Sequence, residues 1–286
     1  MPSRSAPVDG FSLAYDRTGS GPPVVLLHGW PGGRSDYRLV APLLAGSADV
    51  VVPDLRGFGD SDRHAVDPDE GYSGDAQARS VTGLLDELGL GPVVLAGYDI
   101  GSRIAQVIAR QSPERVRALV LTPPMPGAGQ RLLDPAVLPE FWYQNFHRLG
   151  LSERLLDGDR DAVRSYLEHF WTHWSGPGFV PELDHLVEMY SAPGAFTASI
   201  NWYRAGAGSV ATSAAETAPA SYDRIGVPTV VLWPEFDPLF PRAWSDRLDE
   251  FFASATLQMM PGAGHFSPLE APETFATAIR AAAAEA

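Results

Sequence analysis

The stretch Gly97-Tyr98-Asp99-Ile100-Gly101, between the apolar run Pro92-Val93-Val94-Leu95-Ala96 and the helix-like Ser102 to Arg110, decides how this chain is read. It has the form of a strand-turn-helix elbow with aspartate where the commoner version carries serine. Glycine on both sides suits a turn so tight that a Cβ would clash, and such a turn strains its central residue at the C-terminal end of the strand. A serine there attacks acyl carbons once a base has taken its proton. An aspartate is already ionised at neutral pH and can displace a leaving group from an sp3 carbon. Asp99 is the candidate nucleophile.

Outward from the elbow, short apolar runs punctuated by Gly and Pro recur at Val24-Val25-Leu26-Leu27, Val50-Val51-Val52, Val93-Val94-Leu95, Ala118-Leu119-Val120-Leu121 and Val230-Val231-Leu232. Helical patterns separate most of them, including Arg79 to Leu88 and Ala271 to Ala284. The alternation predicts an α/β protein with a mostly parallel central sheet and helices on both faces. Between Met125 and about Tyr222 the β pattern stops, and aromatics, Pro, Gly and helical stretches such as Asp161 to Trp171 take over. The expected organisation is a core in two parts, 1–124 and 223–286, around an inserted, mainly helical lid over 125–222.

With 286 residues, 45% of them hydrophobic, the chain can bury a large core. It has no cysteine, so disulfides, thiolate chemistry and Cys-ligated zinc are excluded. A net charge of −14 without a basic cluster argues against nucleic acid and anionic membranes as partners. Polar residues interrupt the N-terminal stretch and no apolar run is long enough to span a bilayer, so a cytoplasmic protein is expected. Nothing in the sequence indicates the oligomeric state.

A base and its orienting acid should follow the elbow in the chain. Pro261-Gly262-Ala263-Gly264-His265-Phe266 places His265 in a glycine-rich loop between a short strand, Thr256 to Met260, and the last helix. Asp237, in Trp233-Pro234-Glu235-Phe236-Asp237-Pro238, follows the strand Thr229 to Leu232 and can hold the imidazole in the required tautomer, with Glu235 as the fallback. The strand after the elbow ends Thr122-Pro123-Pro124, without a competing carboxylate. The turn His28-Gly29-Trp30-Pro31-Gly32-Gly33 can aim the Trp30 backbone N–H at the site. Ile100 N–H is the second expected oxyanion donor. The turn Asp54-Leu55-Arg56-Gly57-Phe58-Gly59-Asp60-Ser61 is assigned to scaffold.

Together these residues resemble the α/β-hydrolase superfamily over the whole chain. Within it, an aspartate elbow implies the epoxide hydrolases or the dehalogenases, and the His-Gly-x-Pro turn at His28 to Pro31 is typical of epoxide hydrolases. Two lid segments, Phe141-Trp142-Tyr143-Gln144 and Asn201-Trp202-Tyr203-Arg204, look like the epoxide-hydrolase motifs whose tyrosines hydrogen-bond the oxirane oxygen. An epoxide's leaving group is an alkoxide that stays attached, so a neutral phenol must stabilise it. The haloacetate dehalogenases carry Arg-x-x-Arg after the nucleophile. Here only Arg103 matches and Ile100 replaces the first arginine, so a bidentate carboxylate clamp is lost. Their halide-binding His-Trp pair should fall near Tyr143-Gln144, whereas His173-Trp174 lies some thirty residues later.

The resemblance implies an epoxide hydrolase that takes a small-molecule epoxide and water to a vicinal diol through an ester on Asp99. Its expected residues are Asp99, His265, Asp237, Tyr143 and Tyr203, with Trp142, Trp171, Trp174 and Trp202 as expected substrate-binding aromatics. Neither a metal nor an organic cofactor is required. A haloacetate-type dehalogenase using the same triad and a retired hydrolase acting as a binding protein are the alternatives.

Overall fold

Aliphatic runs that alternate with helices bury both their faces, and they form the middle of the sheet. The computed structural model describes residues 2–206 and 210–285. Its eight strands are β1 (Ser3–Arg4), β2 (Ala14–Gly19), β3 (Pro23–Leu27), β4 (Asp49–Pro53), β5 (Val93–Gly97), β6 (Val116–Leu121), β7 (Thr229–Pro234) and β8 (Ala255–Met260), in the order β1-β2-β4-β3-β5-β6-β7-β8. The pairs β1·β2 and β2·β4 are antiparallel and all others parallel. The five apolar runs read from the sequence lie in β3 to β7. Val24 to Leu27 and Val93 to Ala96 are fully buried, as expected of strands covered on both faces.

Helices Gly74–Glu87 and Ile100–Gln111 pack together on the sheet, and Val40–Leu44 packs with Pro272–Glu285. The first pair owes its place to apolar stripes, with Val81, Leu84 and Leu85 on one helix and Ile104, Ala105 and Ile108 on the other. Ser73 caps the former by accepting from Ala76 N–H. Because β3 lies between β4 and β5, the strand order reverses there, and the crevice beyond the C-terminal ends of β3 and β5 is where such sheets hold ligands.

Between β6 and β7 no strand occurs among the described residues; helices Trp142–Arg148, Gly150–Leu156, Arg160–His173, Asp184–Ser191, Ala195–Arg204 and Val210–Ala214 form a cap. Its attachments reach the turn after β3. Trp171 Nε1 donates to the Pro31 carbonyl at 2.9 Å and Tyr190 Oη to the Gly32 carbonyl at 2.9 Å. Trp171 also stacks on Phe266 with ring centroids 3.6 Å apart. Each such buried aromatic contributes on the order of 2–3 kcal/mol, enough to seat the cap firmly. No helix among the described residues is long and apolar enough to cross a membrane.

Candidate active site

The elbow follows directly from its glycines. A Cβ on Gly97 would lie 2.6 Å from the Gly101 carbonyl carbon, and one on Gly101 would lie 2.1 Å from the Leu27 carbonyl oxygen at the end of β3. Strand, turn and helix therefore meet backbone to backbone. Asp99 is forced to φ 51° and ψ −126°, a conformation that costs a side-chain-bearing residue ~1–3 kcal/mol. The strain presents its carboxylate at the cap-facing end of β5. Ile100 opens the following helix, so its N–H has no carbonyl within the helix to satisfy.

The structure brings the predicted partners together there. Trp30 N–H donates to Asp99 Oδ1 at 2.7 Å. His265 Nδ1 lies 3.0 Å from Asp237 Oδ2, and its Nε2 stands 3.4 Å from Asp99 Oδ2. At that separation Nε2 has no aligned hydrogen-bond partner. Asp237 is held in turn by the Leu239 N–H, which donates to Oδ1 at 2.9 Å. Burial alone would lower the His265 pKa, but the Asp237 carboxylate, joined by Asp99, outweighs it and raises the value to about 10. Both carboxylates thus favour the charged form of the ring. Glu235 instead accepts from Gly262 N–H at 2.9 Å and braces the loop before the histidine.

Above the carboxylate a cavity is lined by Asp99, Ile100, Arg103, Tyr143, Trp202, Tyr203 and Phe240, among others. Tyr143 and Tyr203 are both buried, with ring centroids 5.5 Å apart and planes at 86°. Burial, then the Asp99 charge, raises the Tyr143 pKa; burial, then the Tyr143 phenol and Asp99, raises that of Tyr203. Both remain neutral donors at any ordinary pH. The Trp30 indole stacks on Tyr143 at 5.6 Å and meets Tyr203 edge-on at 5.7 Å, so this residue supports both phenols as well as donating its N–H.

Of the four tryptophans expected to bind substrate, Trp202 lines the cavity and the other three lie outside its lining. Trp142 is 43% exposed and lies flat against Phe170 on the outer side. Trp171 is consumed by its bond to Pro31 and its stack on Phe266. Trp174 sits behind the site, 5.0 Å from the His265 ring and 5.2 Å from that of Tyr143. His173 points outward to Glu140, at 2.7 Å.

Other turns are scaffold. Asp54 accepts from Arg34 N–H at 2.9 Å and Asp60 N–H at 3.0 Å, while His28 Nε2 accepts from Leu55 N–H at 3.0 Å. Sequence reasoning missed three polar groups, His147 and Asp36, both buried, and Glu270, partly buried. His147, one helical turn beyond Tyr143, packs its ring 4.7 Å from that of Tyr203, and the i to i+4 spacing could have revealed it. Asp36 accepts from Tyr98 Oη at 2.6 Å beneath the elbow, and Glu270 gathers backbone N–H groups around His265. Neither has a distinguishing pattern in the sequence. Among the described residues no three His, Asp or Glu side chains are grouped to hold a metal ion.

Strand order, elbow, a histidine after β8 and an aspartate after β7 accord with one class of hydrolase, and the family model for the alpha/beta hydrolase fold matches residues 22–272; the chain belongs to that family. It is similar to a soluble epoxide hydrolase from Corynebacterium sp. (strain C12), 29% identical over 94% of this chain and 92% of the relative. It is also similar to a 2-hydroxymuconate semialdehyde hydrolase from Pseudomonas sp. (strain CF600), 31% identical over 97% and 92%. A solved structure of an epoxide hydrolase from metagenomes of hot environments superposes with a TM-score of 0.83, at 25% identity over 99% of this chain and 98% of that one.

Proposed function

We propose that this hydrolase opens epoxides to vicinal diols, with 125–222 as the cap that carries the two phenols. The observation that carries the reading is the pair of buried, neutral tyrosines lining the same cavity as an aspartate nucleophile. The likeness to the Corynebacterium epoxide hydrolase supports it.

In the proposed first step Asp99 Oδ2 attacks an oxirane carbon, the ring C–O bond breaks, and Tyr143 and Tyr203 hydrogen-bond the emerging alkoxide. An alkoxide is more basic than even a buried phenol, so it takes a proton from the pair. Esterification removes the Asp99 charge that helps hold His265 protonated. The imidazolium then releases its proton, which restores the phenol, and becomes the neutral base. In the second step Nε2 accepts a proton from water as the water oxygen adds to the ester carbon. Trp30 and Ile100 N–H groups stabilise the oxyanion on Oδ1, in a role worth several kcal/mol when such donors are fixed. Collapse expels the diol's alkoxide, which takes the proton of the newly added hydroxyl, and returns carboxylate and imidazolium, so protons balance over one cycle. No cofactor enters the scheme, because ring strain supplies the driving force.

A haloacid reading is weaker on this geometry. Arg103 lines the cavity with Asp99, but Glu216 stands 3.9 Å from it and Ile100 supplies no second cation to complete a carboxylate clamp. The apolar lining from Leu132, Phe141, Trp202 and Phe240 favours a bulky or aromatic epoxide. A single turnover in H₂¹⁸O with styrene oxide or phenyl glycidyl ether tests the scheme. The account expects unlabelled diol and ¹⁸O in the Asp99 carboxylate; label in the first diol formed would mean direct attack by water.

A further inference from the structure

We propose that Glu270 is a positioning residue for the base, holding the His265 loop against the cap so that ester hydrolysis depends on this one contact. The inference rests on the two-step scheme above. Glu270 ends the short helix Ser267–Glu270, and its carboxylate turns back toward the loop before that helix. Oε1 accepts from Phe266 N–H at 2.9 Å and Oε2 from Gly264 N–H at 2.8 Å, so the two residues flanking His265 are held by one side chain. Oε2 also accepts from Gly176 N–H at 2.6 Å, which belongs to the cap. Between these bonds, His265 N–H donates to the cap's Trp174 carbonyl at 2.8 Å.

Three successive N–H groups of the base loop are therefore fixed, one by the cap directly and two by a carboxylate that also holds the cap. The two backbones touch. A Cβ on Gly264 would lie 2.3 Å from Gly176 N, and one on Gly176 would lie 2.2 Å from the Gly262 carbonyl oxygen. Gly264 thus serves this close approach, whereas Gly262, at φ +77°, supplies the bend. Burial raises the Glu270 pKa and the three N–H donors oppose that. The Nε2 to Asp99 distance of 3.4 Å is set at the end of this chain of contacts. Tyr143 and Tyr203 stand on Trp142–Arg148 and Ala195–Arg204, to neither of which Glu270 is hydrogen-bonded, and the cap keeps its separate attachments through Trp171 and Tyr190.

The role separates the two half-reactions. In single turnovers with styrene oxide, sampled by quenching and mass spectrometry, Glu270→Ala is expected to form the Asp99 ester within about twofold of the wild-type rate. Its ester decay is expected to fall roughly tenfold or more, since displacements of a catalytic group by about an ångström cost up to ~100-fold. Glu270→Gln keeps one acceptor oxygen and should decay at an intermediate rate. Formation and decay falling in parallel, or decay unchanged in either folded variant, would overturn the proposal. If Glu270→Ala does not fold, the decay rate of Glu270→Gln decides alone. No ester in wild type or in His265→Asn would overturn the two-step scheme itself, and the positioning role with it.

Discussion

Trp30 and Asp99 are joined across 69 residues of chain by one hydrogen bond, N–H to Oδ1, at 2.7 Å. The bond is short because Gly29 lets the turn after β3 lie against the elbow; a Cβ there would come 2.5 Å from Asp99 Cβ. It divides the carboxylate, holding Oδ1 on the Trp30 N–H and leaving Oδ2 toward His265.

Gly29→Ala should therefore lower kcat/KM by roughly 100-fold or more, the effect of losing one preorganised oxyanion donor. The same overpacking should cost ~1–3 kcal/mol of stability. Steady-state kinetics on folded protein together with a urea titration measure both. Wild-type kinetics in the variant would mean that the Trp30 donor is not used.

Asp99→Asn should abolish turnover and lower the pKa of His265 from about 10, because one of the two carboxylates that hold the proton is gone. The folded pKa exceeds the unfolded one, so the stability from this charge is complete below about 6.5 and is lost as pH rises through about 10. The stability gap between wild type and Asp99→Asn should accordingly narrow over that window. Histidine NMR titration and denaturation at stepped pH read the two effects, and an unchanged His265 titration would contradict the charge coupling.

How much of this was legible without coordinates differs between elements. β3 to β7 announced themselves because strands buried on both faces must be continuous aliphatic runs. β1 and β2 did not, because Ser-Arg and Ala-Tyr-Asp-Arg-Thr-Gly lie at an edge where only part of a strand is buried. Asp99, Asp237 and His265 stood out because each follows a recognisable strand. Trp142 and Trp202 occupy matching places in similar motifs, yet one faces solvent and the other the cavity. That difference arises from how the cap helices rotate against each other, which local sequence does not encode. Glu270 and Asp36 were hidden for another reason, since their partners are backbone atoms or residues far away in the chain.

Tyr143→Phe and Tyr203→Phe should each reduce epoxide turnover by roughly tenfold or more, and the double variant by ~10³-fold or beyond, in line with the loss of general-acid assistance. Neither change should slow decay of a preformed Asp99 ester. Pre-steady-state kinetics separate the steps, and a double variant that alkylates at the wild-type rate would remove the phenols from the mechanism.

Asp36 is fully buried with one carboxylate oxygen unpartnered, and burial raises its pKa to about 7. A folded pKa above the unfolded value means that stability falls as pH rises from about 4 to about 7 and then levels off. Asp36→Asn, which resembles the protonated form, should leave Tm nearly unchanged at pH 4 and raise it at pH 8. A variant less stable than wild type at pH 8 would show that the ionised carboxylate is the favoured partner of Tyr98.

The central claim is an ester on Asp99 formed by ring opening, and the most direct measurement is the intact mass of His265→Asn after exposure, in separate tubes, to aromatic epoxides and to fluoroacetate or chloroacetate. With the base removed the first step should run and the second stall. The account predicts an adduct equal to the whole epoxide, mapping to Asp99, and none from the haloacids. An adduct from a haloacid with loss of halide, and none from any epoxide, would contradict it and make the enzyme a dehalogenase.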